Sequence, residues 1–199
     1  MSTAARVIST QLTVCEIAAL IDHSLLRPEL TDDDVRYACE LAERYGAWSV
    51  CVKPADVALA ARLLTGTGVT IGTVVGFPHG SFTVESKLFE TGRALDDGAR
   101  EIDMVINIGA LRGAKHDYVE DEVSRIVQAA HSSNVQIKAA GGVRALDRLL
   151  EFVAIGVTRF GATATAAILD EAAERSAEGA ALLIPAAPRD EGATDAATY

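Results

Sequence analysis

Apolar and polar positions along this chain follow two rhythms in turn, a helical period near 3.6 and short β-branched runs of period 2. Thr13-Val-Cys-Glu16 has the spacing of a capping box opening a short helix, and Leu20-Ile21-Asp22-His23 reads as a first strand ending in polar residues. Thr31 opens a second helix. Asp32, Asp33 and Asp34 match its positive end, and Gly46 is placed to close it. A strand follows at 48–52. Pro54 suits the first turn of a third helix, which runs through Ala60 and Leu64 to the turn at Gly66 and Gly68. The third strand, 69–75, is broken by Gly76-Phe77-Pro78-His79-Gly80. Thr83 starts a helix ending near Gly98, a fourth strand covers 101–107, and 119–131 is helical. After only Ser132-Ser133-Asn134 come a strand holding Lys138, a helix over about 145–155 and a last strand at 158–161. The pattern predicts six βα-type strands in a parallel α/β fold.

In parallel α/β folds, sites form where strands finish and loops begin. Asp22, Cys51, Asp103, Asn107 and Lys138 occupy such positions. Asp103 and Asn107 are four residues apart in a period-2 element, so they are expected to share one face with Val105 between them. An aspartate buried in a strand is costly unless it is paired with a cation such as Lys138 or handles protons.

Lys138 is one of four lysines and opens the run Lys138-Ala-Ala-Gly141-Gly142-Val-Arg144. A desolvated lysine at a strand end can lose its proton and attack a carbonyl, and a glycine pair at a helix start lets backbone N–H groups approach an anion. That combination suits a phosphorylated carbonyl substrate. A lysine that snorkels at a strand end beside a tight βα turn is the plainer reading of the same residues.

Composition narrows the partners. A net charge of −10 and a pI near 4.8, with no basic cluster, argue against nucleic acid. No apolar run approaches the roughly 20 residues needed to span a bilayer, and no basic, apolar leader opens the chain, so a membrane partner is not expected. Cys15, Cys39 and Cys51 fit a reducing compartment, and the expectation is a cytoplasmic protein. His23, His79, His116 and His131 fall in separate units without ligand spacing, so no metal is expected. Residues 1–175 read as one domain. Residues 176–199, rich in small and breaker residues, read as a disordered tail.

Five motifs in order, Ile21-Asp22-His23-Ser24-Leu25-Leu26-Arg27-Pro28, Ser49-Val50-Cys51-Val52, Val75-Gly76-Phe77-Pro78-His79-Gly80, Glu101-Ile102-Asp103-Met104-Val105-Ile106-Asn107-Ile108-Gly109-Ala110 and Lys138-Ala-Ala-Gly-Gly-Val-Arg144, closely resemble deoxyribose-phosphate aldolase over about residues 15–172. The resemblance implies a TIM barrel that cleaves 2-deoxyribose 5-phosphate to glyceraldehyde 3-phosphate and acetaldehyde through a lysine imine, without metal or organic cofactor. It gives Asp103 the role of proton relay and Lys138 that of the second, pKa-lowering lysine. The phosphate loop falls on Gly141, Gly142 and Arg144, joined by Gly161, Ala162 and Thr163, while Asp22 and Cys51 line the pocket. Tyr199 matches a terminal tyrosine that reaches the active site in family members. A homo-oligomer is compatible with the family.

The chain also departs from the family. The resemblance calls for two further βα units after the 119–131 helix, the second carrying the imine-forming lysine in a Lys-Thr-Ser-Thr-Gly-Phe run, and no such run exists here. With a gap near 131–135, the expected fold is an incomplete or open TIM-derived barrel of about six βα units, with impaired aldolase activity. A non-catalytic sugar-phosphate-binding remnant and a truncated gene product are the alternatives.

Overall fold

A computed structural model of the chain describes residues 11–130, 138–140, 145–154 and 159–185. Its main sheet is built from β2 (Ile21–Leu25), β3 (Ser49–Val52), β4 (Thr70–Val75), β5 (Glu101–Met104), β6 (Lys138–Ala140) and β7 (Arg159–Ala162), after a two-residue β1 (Gln11–Leu12). The spatial order is β5-β4-β3-β2-β7-β6, and all five pairings are parallel. This is a barrel order with one sector missing. The last long strand returns to pair with the first, β7 with β2, while β5 and β6 are left as the two edges of an open half-barrel among the described residues.

The helices are α1 (Val14–Ala18), α2 (Asp32–Tyr45), α3 (Val57–Leu63), α4 (Val84–Asp96), α5 (Ile108–Arg112), α6 (His116–Ala130), α7 (Leu146–Ala154) and α8 (Thr165–Ala177). Local chemistry sets most of their ends. At Thr31 both halves of the capping box form: Asp34 N–H donates to Thr31 Oγ1 at 3.4 Å, and Thr31 N–H donates to Asp34 Oδ2 at 2.8 Å. Gly46 closes α2 at φ 67°, a left-handed conformation that a Cβ would penalise. Pro54 begins a single 3-10 turn before α3, where its missing N–H costs nothing.

Alternate strand residues face the helices. Val50, Val52, Ile71 and Ile102 pack with Val35, Ala38, Val57 and Ala60 of α2 and α3 in one core, and Ile21, Phe160 and Ala162 pack with Leu149, Ile168 and Leu169 of α7 and α8 in another. Burying such side chains contributes about 1.5–3 kcal/mol each, so this outer layer holds the strands in place.

His23 belongs to that layer. Its Nδ1 lies 2.7 Å from Thr165 Oγ1 at the start of α8. Burial pushes the imidazole below its ordinary value, outweighing the opposing influence of the Ala162 backbone and Asp22. The unfolded chain therefore takes up this proton before the folded one does. The ring's contribution to stability is complete above the ordinary value of about 6.5 and is lost as pH falls toward the depressed folded value. His23→Gln keeps a partner for Thr165 and should flatten this component of the urea midpoint between about pH 5 and pH 7. Parallel midpoint curves for variant and parent would refute the assignment.

Several boundaries differ from the sequence expectation. β5 stops at Met104 because Asn107, placed on the strand from its sequence, instead caps α5: Ala110 N–H donates to Asn107 Oδ1 at 2.9 Å. Asn107 thus does not continue the face of Asp103. α6 begins at His116, about one turn before the predicted start. Beyond 176 the chain continues into β8 (Leu182–Leu183), which pairs antiparallel with β1 and buries Leu182, within the span expected to be a tail. Residues 186–199, with Tyr199, lie outside the described residues.

Candidate functional site

The strand residues that do not face the helices make a polar surface. Asp22 and Ser24 of β2, Ser49 and Cys51 of β3, Gly72 and Val74 of β4, Glu101 and Asp103 of β5, and Arg159 and Gly161 of β7 alternate with the core residues and so share that side. Ser49 Oγ donates to Asp22 Oδ1 at 2.7 Å, and Asp22 is only 3% exposed. Cys51 Sγ donates to Asp103 Oδ2 at 3.6 Å. Between them on β4 lie Gly72, paired with Cys51, and Val74, paired with Asp103, so the contact runs diagonally across that strand. One donor atom from each of Asp22, Cys51 and Asp103 lies within 4.8 Å of the others. Two carboxylates and a thiol this close, with hydroxyl and thiol hydrogens directed at carboxylate oxygens, suit proton movement to and from a bound molecule.

At the amino ends of the strands a second set of side chains forms a floor to the same surface. Trp48 Nε1–H donates to Glu101 Oε1 at 2.7 Å, the Arg159 guanidinium lies 3.9 Å from the Trp48 ring centroid, and Arg159 Nη1 donates to the Ala19 carbonyl at 3.1 Å. This floor links β3, β5 and β7. The Asp22, Cys51 and Asp103 group stands above it.

The other sequence-predicted residues are placed unequally. Gly161 pairs in register with Asp22 and with Ala140, at the level of the carboxylates. Thr163 is exposed just before α8. Lys138 pairs in register with Arg159 of β7, two residues before the row of Ala140, Gly161 and Asp22. Gly141, Gly142 and Arg144 lie outside the described residues. Asn107 lines a separate open cavity of about 370 Å³ with Gly109, Ala110, Lys115 and Tyr118.

Two functional candidates were missed from sequence. Lys87 and Glu122 are both fully buried and form an ion pair of 2.5 Å. Lys87 falls on the buried face of α4 with Val84, Thr91 and Ala94, and Glu122 precedes buried Ile126 by four residues on α6. A charge at a core-facing position of each of two helices was the available signal.

Residues 16–147 match the profile of the DeoC/LacD family aldolases. The chain belongs to this aldolase family. Deoxyribose-phosphate aldolase of Clostridium kluyveri is 32% identical over 213 residues, covering 78% of this chain and 98% of the relative. That leaves roughly 60 positions of the relative without a counterpart, the length of two βα units of about 30 residues each. Deoxyribose-phosphate aldolases of Geobacillus sp. and Clostridium novyi are 49% and 46% identical over 114 and 110 residues, 57% and 55% of this chain. In those alignments the chain spans about half the length of the relatives, 51% and 50%. A crystal structure assigned as a deoxyribose-phosphate aldolase, from Coccidioides immitis, superposes with TM-score 0.78 at 25% identity, covering 82% of this chain and 88% of the other. Its homologues make this aldolase-family chain a relative of carbon–carbon lyases, and its half-barrel is the TIM-type fold of those neighbours, open on one side. Among the described residues no helix is long and apolar enough to cross a membrane.

Proposed function

We propose that this chain binds a small phosphorylated sugar of the 2-deoxyribose 5-phosphate type on its polar strand face, and that its retro-aldol cleavage to glyceraldehyde 3-phosphate and acetaldehyde is strongly reduced. The convergence of Asp22, Cys51 and Asp103 within 4.8 Å, inside the segment that matches the aldolase family, carries the first half of this reading. Asp103 is the proton relay. Asp22 and Cys51 orient the sugar, and Gly141, Gly142 and Arg144, with Gly161 and Thr163, take the phosphate through backbone N–H groups and a guanidinium.

The second half rests on the lysines. Lys53 Nζ donates to the Leu30 carbonyl at 2.8 Å and lies 3.3 Å from Asp56. All three protons of Lys87 are engaged, and Lys115 lines the Asn107 cavity. No Lys-Thr-Ser-Thr-Gly-Phe run supplies another amine. Three free thiols suit the cytoplasm, and the open edge of β5 suits association of like chains.

Calorimetric titration with 2-deoxyribose 5-phosphate tests the binding. Arg144→Ala should weaken it by roughly tenfold or more, the value of a lost charge-assisted contact to phosphate. An unchanged affinity would move the phosphate site elsewhere.

A further inference from the structure

Among the described residues, Lys87 and Glu122 are the charged side chains with no exposure at all, and the proton chemistry proposed above uses neither. Lys87 Nζ donates to the Gly80 carbonyl at 2.9 Å, the Val105 carbonyl at 2.7 Å and Glu122 Oε1 at 2.5 Å. The other oxygen of Glu122 accepts the Asn107 N–H at 2.9 Å. The pair thus joins the loop after β4, the exit of β5 and helices α4 and α6. Glu90 adds a second tie to the loop by accepting the Gly76 N–H at 2.8 Å.

What these bonds restrain is one edge of the open sheet. β5 is an edge strand, with β4 as its neighbour among the described residues, and its ladder ends where Val105 N–H donates to the Val75 carbonyl at 2.9 Å. Asp103 lies two residues before that last rung. A pair of apolar side chains could fill the same volume at similar stability, but would leave the Gly80 and Val105 carbonyls and the Asn107 N–H without these partners. Here charge supplies direction as well as volume.

We propose that Lys87 and Glu122 are positioning residues for Asp103, holding the exit of β5 against the 76–80 loop so that the Asp103 carboxylate stays at Cys51. The inference rests on the aldolase reading for the role of Asp103, but its test does not. Lys87→Met/Glu122→Gln removes both charges together. Gly80→Ala approaches the same contact from the loop: Gly80 has φ 66°, and an added Cβ would collide with the Ile106 carbonyl. Cys51 reports the result, because its thiol lies beneath Asp103 and is 1% exposed. Cys39 is the internal control. It is buried on α2 in the helix layer, with its thiol pushed up to about 11 by burial, and reacts when that layer opens.

The experiment is alkylation of the intact chain by iodoacetamide, with the rate at each cysteine read by peptide mass spectrometry. In both variants Cys51 should react at least roughly tenfold faster than in the parent while Cys39 stays within about twofold, the signature of a local opening. Parallel acceleration of both thiols, or an unchanged Cys51 rate in both variants, overturns the proposal. Titration of the parent chain with 2-deoxyribose 5-phosphate reports separately on the aldolase reading.

Discussion

Lys87→Met should lower the folding stability of this chain by about 3–5 kcal/mol, the cost of leaving one member of a buried ion pair without the other. Methionine fills much of the lysine's volume, so the loss is electrostatic. The Glu122 carboxylate stays at zero exposure with its cation gone, and the Gly80 and Val105 carbonyls lose their donor. Adding Glu122→Gln should return most of that stability, since the neutral amide can still accept the Asn107 N–H. The coupling between the two substitutions, read from urea midpoints of the singles and the double, should therefore reach roughly 2–3 kcal/mol. A single variant that loses less than about 1 kcal/mol would place water or another cation at Glu122 and remove the basis for the clamp.

That pair also shows where sequence reasoning reached its limit. The strands, their parallel order and most helix ends follow from local rules: the Thr31 box, Gly46, Pro54 and the β-branched runs each act within a few residues. Asp22, Cys51 and Asp103 were also recoverable as polar residues within apolar strand runs, and the structure brings all three together, although Asp22 is the second residue of β2 and not at its carboxyl end. The Lys87–Glu122 pair is not legible locally, since the partners are 35 residues apart and only the packing of α4 against α6 brings them into contact. Asn107 was misplaced for a related reason. Period-2 counting carried it along the β5 face, but nothing pairs with the far side of β5 among the described residues, and the side chain satisfies the first turn of α5 instead.

With 2-deoxyribose 5-phosphate and borohydride, the chain should form no reduced adduct, and its retro-aldol rate should fall below that of a complete deoxyribose-phosphate aldolase by roughly several orders of magnitude, as expected when a covalent nucleophile is lost. Imine formation needs an amine with a free lone pair about 3 Å from the carbonyl, and the lysines fail that requirement in different ways. Lys87 donates all three protons and is sealed from the pocket by its own partners. Lys53 is held by Leu30 and Asp56, and Lys115 belongs to the Asn107 cavity. Lys138 is the remaining candidate, but the family resemblance gives it the supporting role beside an imine-forming lysine that this sequence lacks. A sugar held by its phosphate near Gly161 would present its carbonyl at the carboxylates. If Lys138 has nevertheless taken over the reaction, the adduct will map to that residue by mass spectrometry, turnover will approach the family rate, and Asp103→Asn will abolish it while sugar-phosphate binding survives. That result would overturn the impaired-enzyme reading, because a barrel lacking a sector would then have rebuilt its nucleophile from the lysine that otherwise only tunes it.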